Sequence, residues 1–369
     1  MSLTAKAWLK QLHKLPLTEP FRIMNVCGGH ERSITQAGLR GALPPQIELI
    51  PGPGCPVCVC PEEDIYQAIQ LALNETITLL AFGDMLRVPV NVSKQQPRSL
   101  DQAHGAGADI RPIASPLEAL KLANAEPKRE FIFFAAGFET TTAPVASLLV
   151  QGIPDNLSIL LSGRLTWPAV SMLLESDTPG FDALVAPGHV ATVMGPEEWQ
   201  FVVEQHQLPA AIAGFTSESL LAATYSVCRQ SLEDRRFLDN CYPELVKPEG
   251  NRSAREHLNA ALEVVDANWR GIGTIPNSGF ALHRNYAQWD ARLRYPEYDK
   301  PDRKRAGEMP AGCDCAQVVL GKKYPNQCKL YGTACLPRSP IGPCMVSDEG
   351  ACRIWWSGGV RADAQTSGK

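Results

Sequence analysis

Three cysteines fall within six positions of one short stretch, GPGCPVCVCP over 52–61: Cys55, Cys58 and Cys60. The Cys55-x-x-Cys58 spacing serves either a redox dithiol or half of a metal site. The surrounding prolines stiffen the chain and suit a short disulfide loop. No second pair follows close by, which favours the redox pair over a structural metal. Cys60 reads as a small buried residue on the way into a helix. A second stretch, CGGHE over 27–31, sets Cys27 before two glycines, His30 and Glu31. Glycines there allow a tight turn and close approach to a ligand. A helix starting after Cys27 is expected to lower its pKa and favour thiolate. His30 could transfer protons or support the thiol from behind.

A third set lies near the end of the chain. Cys328, Cys335, Cys344 and Cys352 are separated by 6, 8 and 7 residues, with Pro337, Pro340 and Pro343 keeping the chain in loops. Four thiolates on a loop scaffold suit a [4Fe-4S] cluster. Four-cysteine zinc is the alternative, although its usual close C-x-x-C knuckles are missing. Cys313-Asp314-Cys315 is too tight for two comfortable ligands to one metal; it reads as packing, a spare ligand or a redox-active thiol. Cys228 and Cys241 read as core or loop.

These residues need elements to hold them. Apolar runs at 21–26, 47–52, 77–83, 108–114, 131–137, 157–163, 182–188 and 210–215 read as buried strands. Helical patterns lie between them, which predicts parallel sheets with crossover helices. In open parallel sheets, ligands bind beyond the carboxyl ends of the strands. Cys27, Cys55, Asp84 with Arg87, Glu139 and His189 each follow a strand in this way. Glu139, in GFETTTAP, reads as a helix cap, an acid or base, or a clamp between lobes. His189, in APGHV, reads as a satisfied turn histidine or, by its location, a site residue. The expected architecture is two α/β lobes around a cleft plus a loop-rich C-terminal iron–sulfur domain. The expected bounds are 21–125 with CGGHE and GPGCPVC, then 126–240 with GFETTTAP and PGHV. The cysteine-rich remainder is 241–369, with 1–20 a candidate addition to it.

The totals narrow the class. The chain has 369 residues, 44% hydrophobic and 20% charged, with a net charge of −4. That balance argues against a nucleic-acid footprint. No run of about 18 apolar residues occurs, so no membrane span is expected. The start lacks the features of a secretory signal, which predicts a cytoplasmic protein. Twelve cysteines in a reducing compartment favour metal or redox chemistry over structural disulfides. No phosphate-loop motif is present.

Taken in order, NVCGGHE, PGPGCPVC, FGDMLRVP, GFETTTAP, PGHV, KPEGN, WRGIG, IPNSGF and CKLYGTACLPRSPIGPCMVSDEGAC resemble the HypD family of hydrogenase maturation (formation) proteins. Arg32 departs from the His or Thr often found there, and Cys60 and Cys241 are extra thiols. The resemblance implies a scaffold that builds the Fe(CN)2CO group of [NiFe]-hydrogenases for their large subunit. It implies a small HypC-type partner, and a HypE-type donor of cyanide made from carbamoyl groups by HypF. It implies that Cys27 holds the transient iron, that Cys55 and Cys58 form a dithiol/disulfide pair, and that Cys328, Cys335, Cys344 and Cys352 bind [4Fe-4S]. The cluster would pass electrons to the Cys55–Cys58 pair, while His30, Glu139 and His189 handle protons or orient cyanide. The alternatives are a stand-alone iron–sulfur thiol/disulfide oxidoreductase acting on a small substrate, and a zinc-stabilised binding protein.

Overall fold

The computed structural model describes residues 3–93, 95–176, 179–299 and 309–361. All eight expected strands form: β1 Phe21–Asn25, β2 Ile47–Pro51, β3 Thr78–Phe82, β4 Ile110–Ile113, β5 Phe131–Gly137, β6 Leu157–Arg164, β7 Ala183–Pro187 and β8 Ala210–Ala213. Three more follow: β9 Leu238–Asn240, β10 Leu262–Trp269 and β11 Gly273–Leu282. The protein is α/β, with mostly parallel sheets. One sheet has the order β2-β1-β7-β8-β9, all parallel. The other has the order β10-β11-β6-β5-β3-β4. Its β6/β11 and β10/β11 pairs are antiparallel.

The sheets are interleaved along the chain, so the boundary expected near residue 125 does not separate them. Segment 21–125 gives β1 and β2 to one sheet and β3 and β4 to the other. The chain crosses between sheets after β2, after β6 and after β9. The first crossing is the GPGCPVCVCP loop itself, followed by the helix Glu62–Asn74. A stiff, proline-rich segment therefore joins the two sheets beside their functional ends.

The region after 240 is not independent of the sheets either. Segment 262–282, expected as loop, is a hairpin on the second sheet. Residues 315–355 supply Cys315, Val318, Cys328, Tyr331, Cys344 and Trp355 to the same apolar cluster as Ile65, Ile69 and Leu79. The amino-terminal helix Ala5–Leu12 packs on the helix Ser217–Leu232, with Trp8 and Tyr225 rings 5.3 Å apart. It thus joins the first sheet's flank rather than the cysteine-rich region. Residues 1, 2, 300–308 and 362–369 of the expected third unit lie outside the described residues. No helix among the described residues is long and apolar enough to cross a membrane.

Candidate functional site

Cys27 caps the helix Gly28–Gln36 (α1), immediately after β1. Two glycines make its setting. A Cβ on Gly28 would lie 2.5 Å from the Glu349 backbone oxygen, and one on Gly54 would lie 2.5 Å from Cys27 Cα. Only a residue without a side chain lets three segments meet there. The Gly28 N–H donates to the Gly54 carbonyl at 3.2 Å, closing the contact. The α1 amides of Gly29 and His30 point at the Cys27 sulfur and lower its pKa, as helix placement predicts. Burial is the larger effect, and Glu349 adds to it, so the thiol is pushed up to about 12. Burial thus works against the thiolate that the helix placement favours.

His30 is fully buried. One ring nitrogen bonds the Ala213 carbonyl at 2.9 Å and the other faces the Asn25 side chain at 3.1 Å. Burial pushes its pKa down to about 4, so the ring is neutral and ties α1 to β8. Glu31 accepts from Trp355 Nε1 at 2.5 Å and from Arg40 at 2.8 Å, joining the C-terminal helix Ala351–Ser357 to α1.

A cavity of about 290 Å³ opens at the carboxyl ends of both sheets. Cys27, Asp84, Thr141, Thr166, His189 and Glu349 are among its lining residues. His189 stacks on Phe215, ring centroids 3.8 Å apart, and makes no hydrogen bond among the described residues. Partial burial holds its pKa below the ordinary value. Glu349 was not singled out from the sequence. The residue is exposed, yet desolvation in the cavity mouth and then nearby Asp84 push its carboxyl up to about 7. Asp84, also raised by burial, accepts from the Ser347 hydroxyl at 3.3 Å. Glu139 is buried behind the wall. It accepts from the Thr166 N–H at 2.6 Å and the Thr166 hydroxyl at 2.7 Å, and burial pushes it up to about 7.

Cys55 and Cys58 are joined as a disulfide, Cα atoms 5.3 Å apart. They are 4% and 1% exposed. Pro56 opens the one-turn helix between them, and the Cys58 N–H donates to Cys55 Sγ at 3.2 Å. A narrow gap behind the cavity is lined by Cys27, Cys55, Cys344 and Glu349 together. Cys60 lies apart, its sulfur 3.5 Å from the Ser162 hydroxyl, and burial pushes it up to about 12.

The four expected ligands, Cys328, Cys335, Cys344 and Cys352, have Cys313 and Cys315 as near neighbours, and the six thiols gather into one cage. Cys313, Cys315, Cys344 and Cys352 lie near enough to one another to perturb each other's ionisation. Cys328 and Cys335 complete the cage electrostatically. Backbone N–H groups of Ile341 and Cys352 donate to Cys335 Sγ and Cys344 Sγ, each at 3.3 Å. Arg270 is buried beside Cys60, Cys313 and Cys315. Its Nη2 donates to the Pro89 carbonyl at 2.7 Å, while Nε and Nη1 have no hydrogen-bond partner. Among the described residues no group of three or more His, Cys, Asp or Glu is set to hold a single metal ion. A cubane cluster spreads its thiolates more widely than one ion does. An all-thiol donor set, N–H groups aimed at sulfur and a buried guanidinium near Glu62 with two nitrogens free of hydrogen bonds fit such an anionic cluster.

A family described as "HypD: Hydrogenase formation hypA family" matches residues 3–359. The chain belongs to the HypD family of hydrogenase maturation factors. It is 40% identical over 357 residues to hydrogenase maturation factor HypD2 of Bradyrhizobium diazoefficiens, covering 94% of this chain and 92% of that protein. It is 37% identical over 352 residues to HypD of Rhodobacter capsulatus, with 93% and 91% covered. Against HypD of Escherichia coli K12 it is 37% identical over 341 residues, with 91% and 89% covered.

Proposed function

We propose that this HypD-family chain is the scaffold on which the Fe(CN)2CO group of [NiFe]-hydrogenases is assembled. Iron is its cargo, and Cys27 is the thiol that holds it. The reading rests on one observation: Cys27, the Cys55–Cys58 disulfide and the cysteine cage all border one gap. A cargo thiol, a redox pair and a cage in contact are what a redox-assisted metal scaffold needs.

Cyanide and CO favour low-spin iron(II), and a soft thiolate suits that ion. Forming the iron–sulfur bond expels the Cys27 proton, because a metal displaces it even from a high-pKa thiol. Glu349, close to half ionised at neutral pH, is placed to take it. His189 can hydrogen-bond a diatomic ligand in the cavity, while His30 and Glu139 position α1 and Thr166 rather than reach the cargo. A [4Fe-4S] cluster held by Cys328, Cys335, Cys344 and Cys352 supplies one-electron chemistry when bound. The small HypC-type partner completes the iron site from the open side, the HypE-type partner brings cyanide, and the large subunit receives the product indirectly. A reducing cytoplasm keeps Cys27 free for this work.

A stand-alone oxidoreductase fits less well. Both disulfide sulfurs are buried, so a substrate thiol could not reach them without opening the loop. The test is infrared spectroscopy of the anaerobic complex with the HypC-type partner. Cys27→Ala abolishes the cyanide and CO bands while iron in the cage is retained. Bands that persist in that variant would rule out Cys27 as the cargo ligand.

A further inference from the structure

A second cavity, of about 470 Å³, lies on the surface beside the cysteine cage and has the opposite charge character to the cargo cavity. Arg87, Arg98 and Arg338 line it, with Asp101 as the one acidic neighbour. A local excess of positive charge thus stands on a chain whose net charge is −4. Arg98 and Arg338 are exposed, and neither forms an ion pair among the described residues. Arg87 instead donates to the Pro337 carbonyl at 2.8 Å, holding the cavity wall in place. That wall is the loop after Cys335. Its residue Ile341 lines the cavity and also donates its N–H to Cys335 Sγ at 3.3 Å. A single loop residue therefore separates the arginine-lined surface from a cage sulfur.

We infer that this cavity is the docking site of an electron donor: a small acidic protein carrying a one-electron iron–sulfur centre. The inference rests on the cage holding a cluster, as proposed above. The four proposed cluster ligands are buried, so an electron has to enter across a covering loop, and this loop carries Cys335. In the transfer the donor's centre loses one electron and the cluster gains it; no bond or proton moves. Guanidinium groups pair carboxylates in a fixed fork, and unpaired charges around a cavity steer an oppositely charged partner. The cargo cavity, edged by Asp84 and Glu349, would repel the same partner. Charge thus sends donor and cargo iron to different faces.

The test uses full-length, anaerobically purified protein, with reduced plant-type ferredoxin as the probe. Stopped-flow absorbance reads the rate of cage reduction, and calorimetry reads the affinity for oxidised ferredoxin at low and high salt. Arg98→Glu and Arg338→Glu each lower rate and affinity about tenfold at low salt and flatten the salt dependence. Arg98→Lys keeps most of both. Reduction by the cationic viologen radical is unchanged in all variants. Wild-type values in both charge reversals would overturn the docking site. So would equal losses with ferredoxin and viologen, since the arginines would then serve the cage's structure. Arg98 lies on a segment separate from the cage loop, which guards against simple disruption by Arg338→Glu. Iron and sulfide analysis of the same sample decides the cluster reading separately. If that fails, the affinity measurement alone decides the docking surface.

Discussion

The two thiol sites share a border and differ in almost every other respect. Around Cys27 stand carboxylates, a histidine and threonines facing an open cavity, and Cys27 is the one cysteine lining that cavity. In the cage five buried cysteines and the half-buried Cys313 gather, backed by N–H groups and by Arg270. The first site offers one protein sulfur and leaves room for other ligands, which suits a metal that must leave. The second surrounds its occupant with sulfur and excludes water, which suits one that stays. On the function proposed above, the difference in lability would follow from ligand count and solvent access rather than from the chemistry of cysteine.

The largest effect that could break this contrast is on metal retention. Cys335→Ser is expected to remove nearly all cage iron and sulfide and to make the loops of 309–361 more sensitive to protease, because bound metal would tie those loops together. Cys27→Ala should leave both unchanged. If Cys27→Ala empties the cage as well, the sites are one site. The same assay chooses four ligands from six sulfurs. The spacing selects Cys344, yet Cys313 lies close enough to Cys335, Cys344 and Cys352 to act on their ionisation. Comparing Cys313→Ser with Cys344→Ser identifies the fourth ligand by which variant loses the iron.

Next in size is a pH effect confined to the cargo side. Glu139 is fully buried, and its pKa rises from 4.5 to about 7 on folding. A raised carboxyl pKa means that folding favours the protonated form. Its stabilising contribution is present below the unfolded pKa and is lost as pH climbs through the folded one. Ionising Glu139 across this window costs the native state stability, a cost it shares with the neighbouring buried carboxyl of Glu198. Glu139→Gln removes that slope, so its urea midpoint should exceed the wild type's at pH 8 and match it near pH 4. Parallel midpoints at both values would mean that Glu139 is not the group responsible.

Much of this contrast was legible before folding, and the rest was hidden for a definite reason. The eight parallel strands announced themselves as apolar runs, and the strand-end rule found Cys27, Cys55, Asp84 and His189 in their places. Residues adjacent in sequence to a strand end inherit its location. The interleaving of the sheets was not legible, because which strand pairs with which depends on contacts such as Ile23 with Ala183, far apart in the chain. The β10–β11 hairpin was missed because Gly271, Pro276 and Asn277 look like loop. Asn277 does take a positive φ of 51° within the strand, beside a register shift on its partner. His30 and Glu139 stood out as special, but their engagement with Ala213 and Thr166 had no local sign. Glu349 reaches Cys27 only through a close approach that Gly28 permits, and nothing near Glu349 in sequence hints at it.

The smallest predicted effect is the sharpest on that last contact. Glu349 places negative charge beside Cys27 and raises its pKa further, on top of burial. Glu349→Gln keeps the shape and removes the charge, so the thiol should lose its proton more readily. A change of roughly half a pK unit corresponds to about threefold in thiolate at a fixed pH. The measurement is the alkylation rate of Cys27, followed by mass spectrometry in metal-free protein at pH 8.5, where Glu349 is largely ionised. At pH 5.5 Glu349 is mostly protonated, and the two proteins should react alike. An equal acceleration at both pH values would point to a loosened cavity instead of a lost charge. A pH-dependent one would tie the resting state of the cargo thiol to a carboxylate supplied by the cysteine-rich region, making the two sites neighbours by electrostatics as well as by contact.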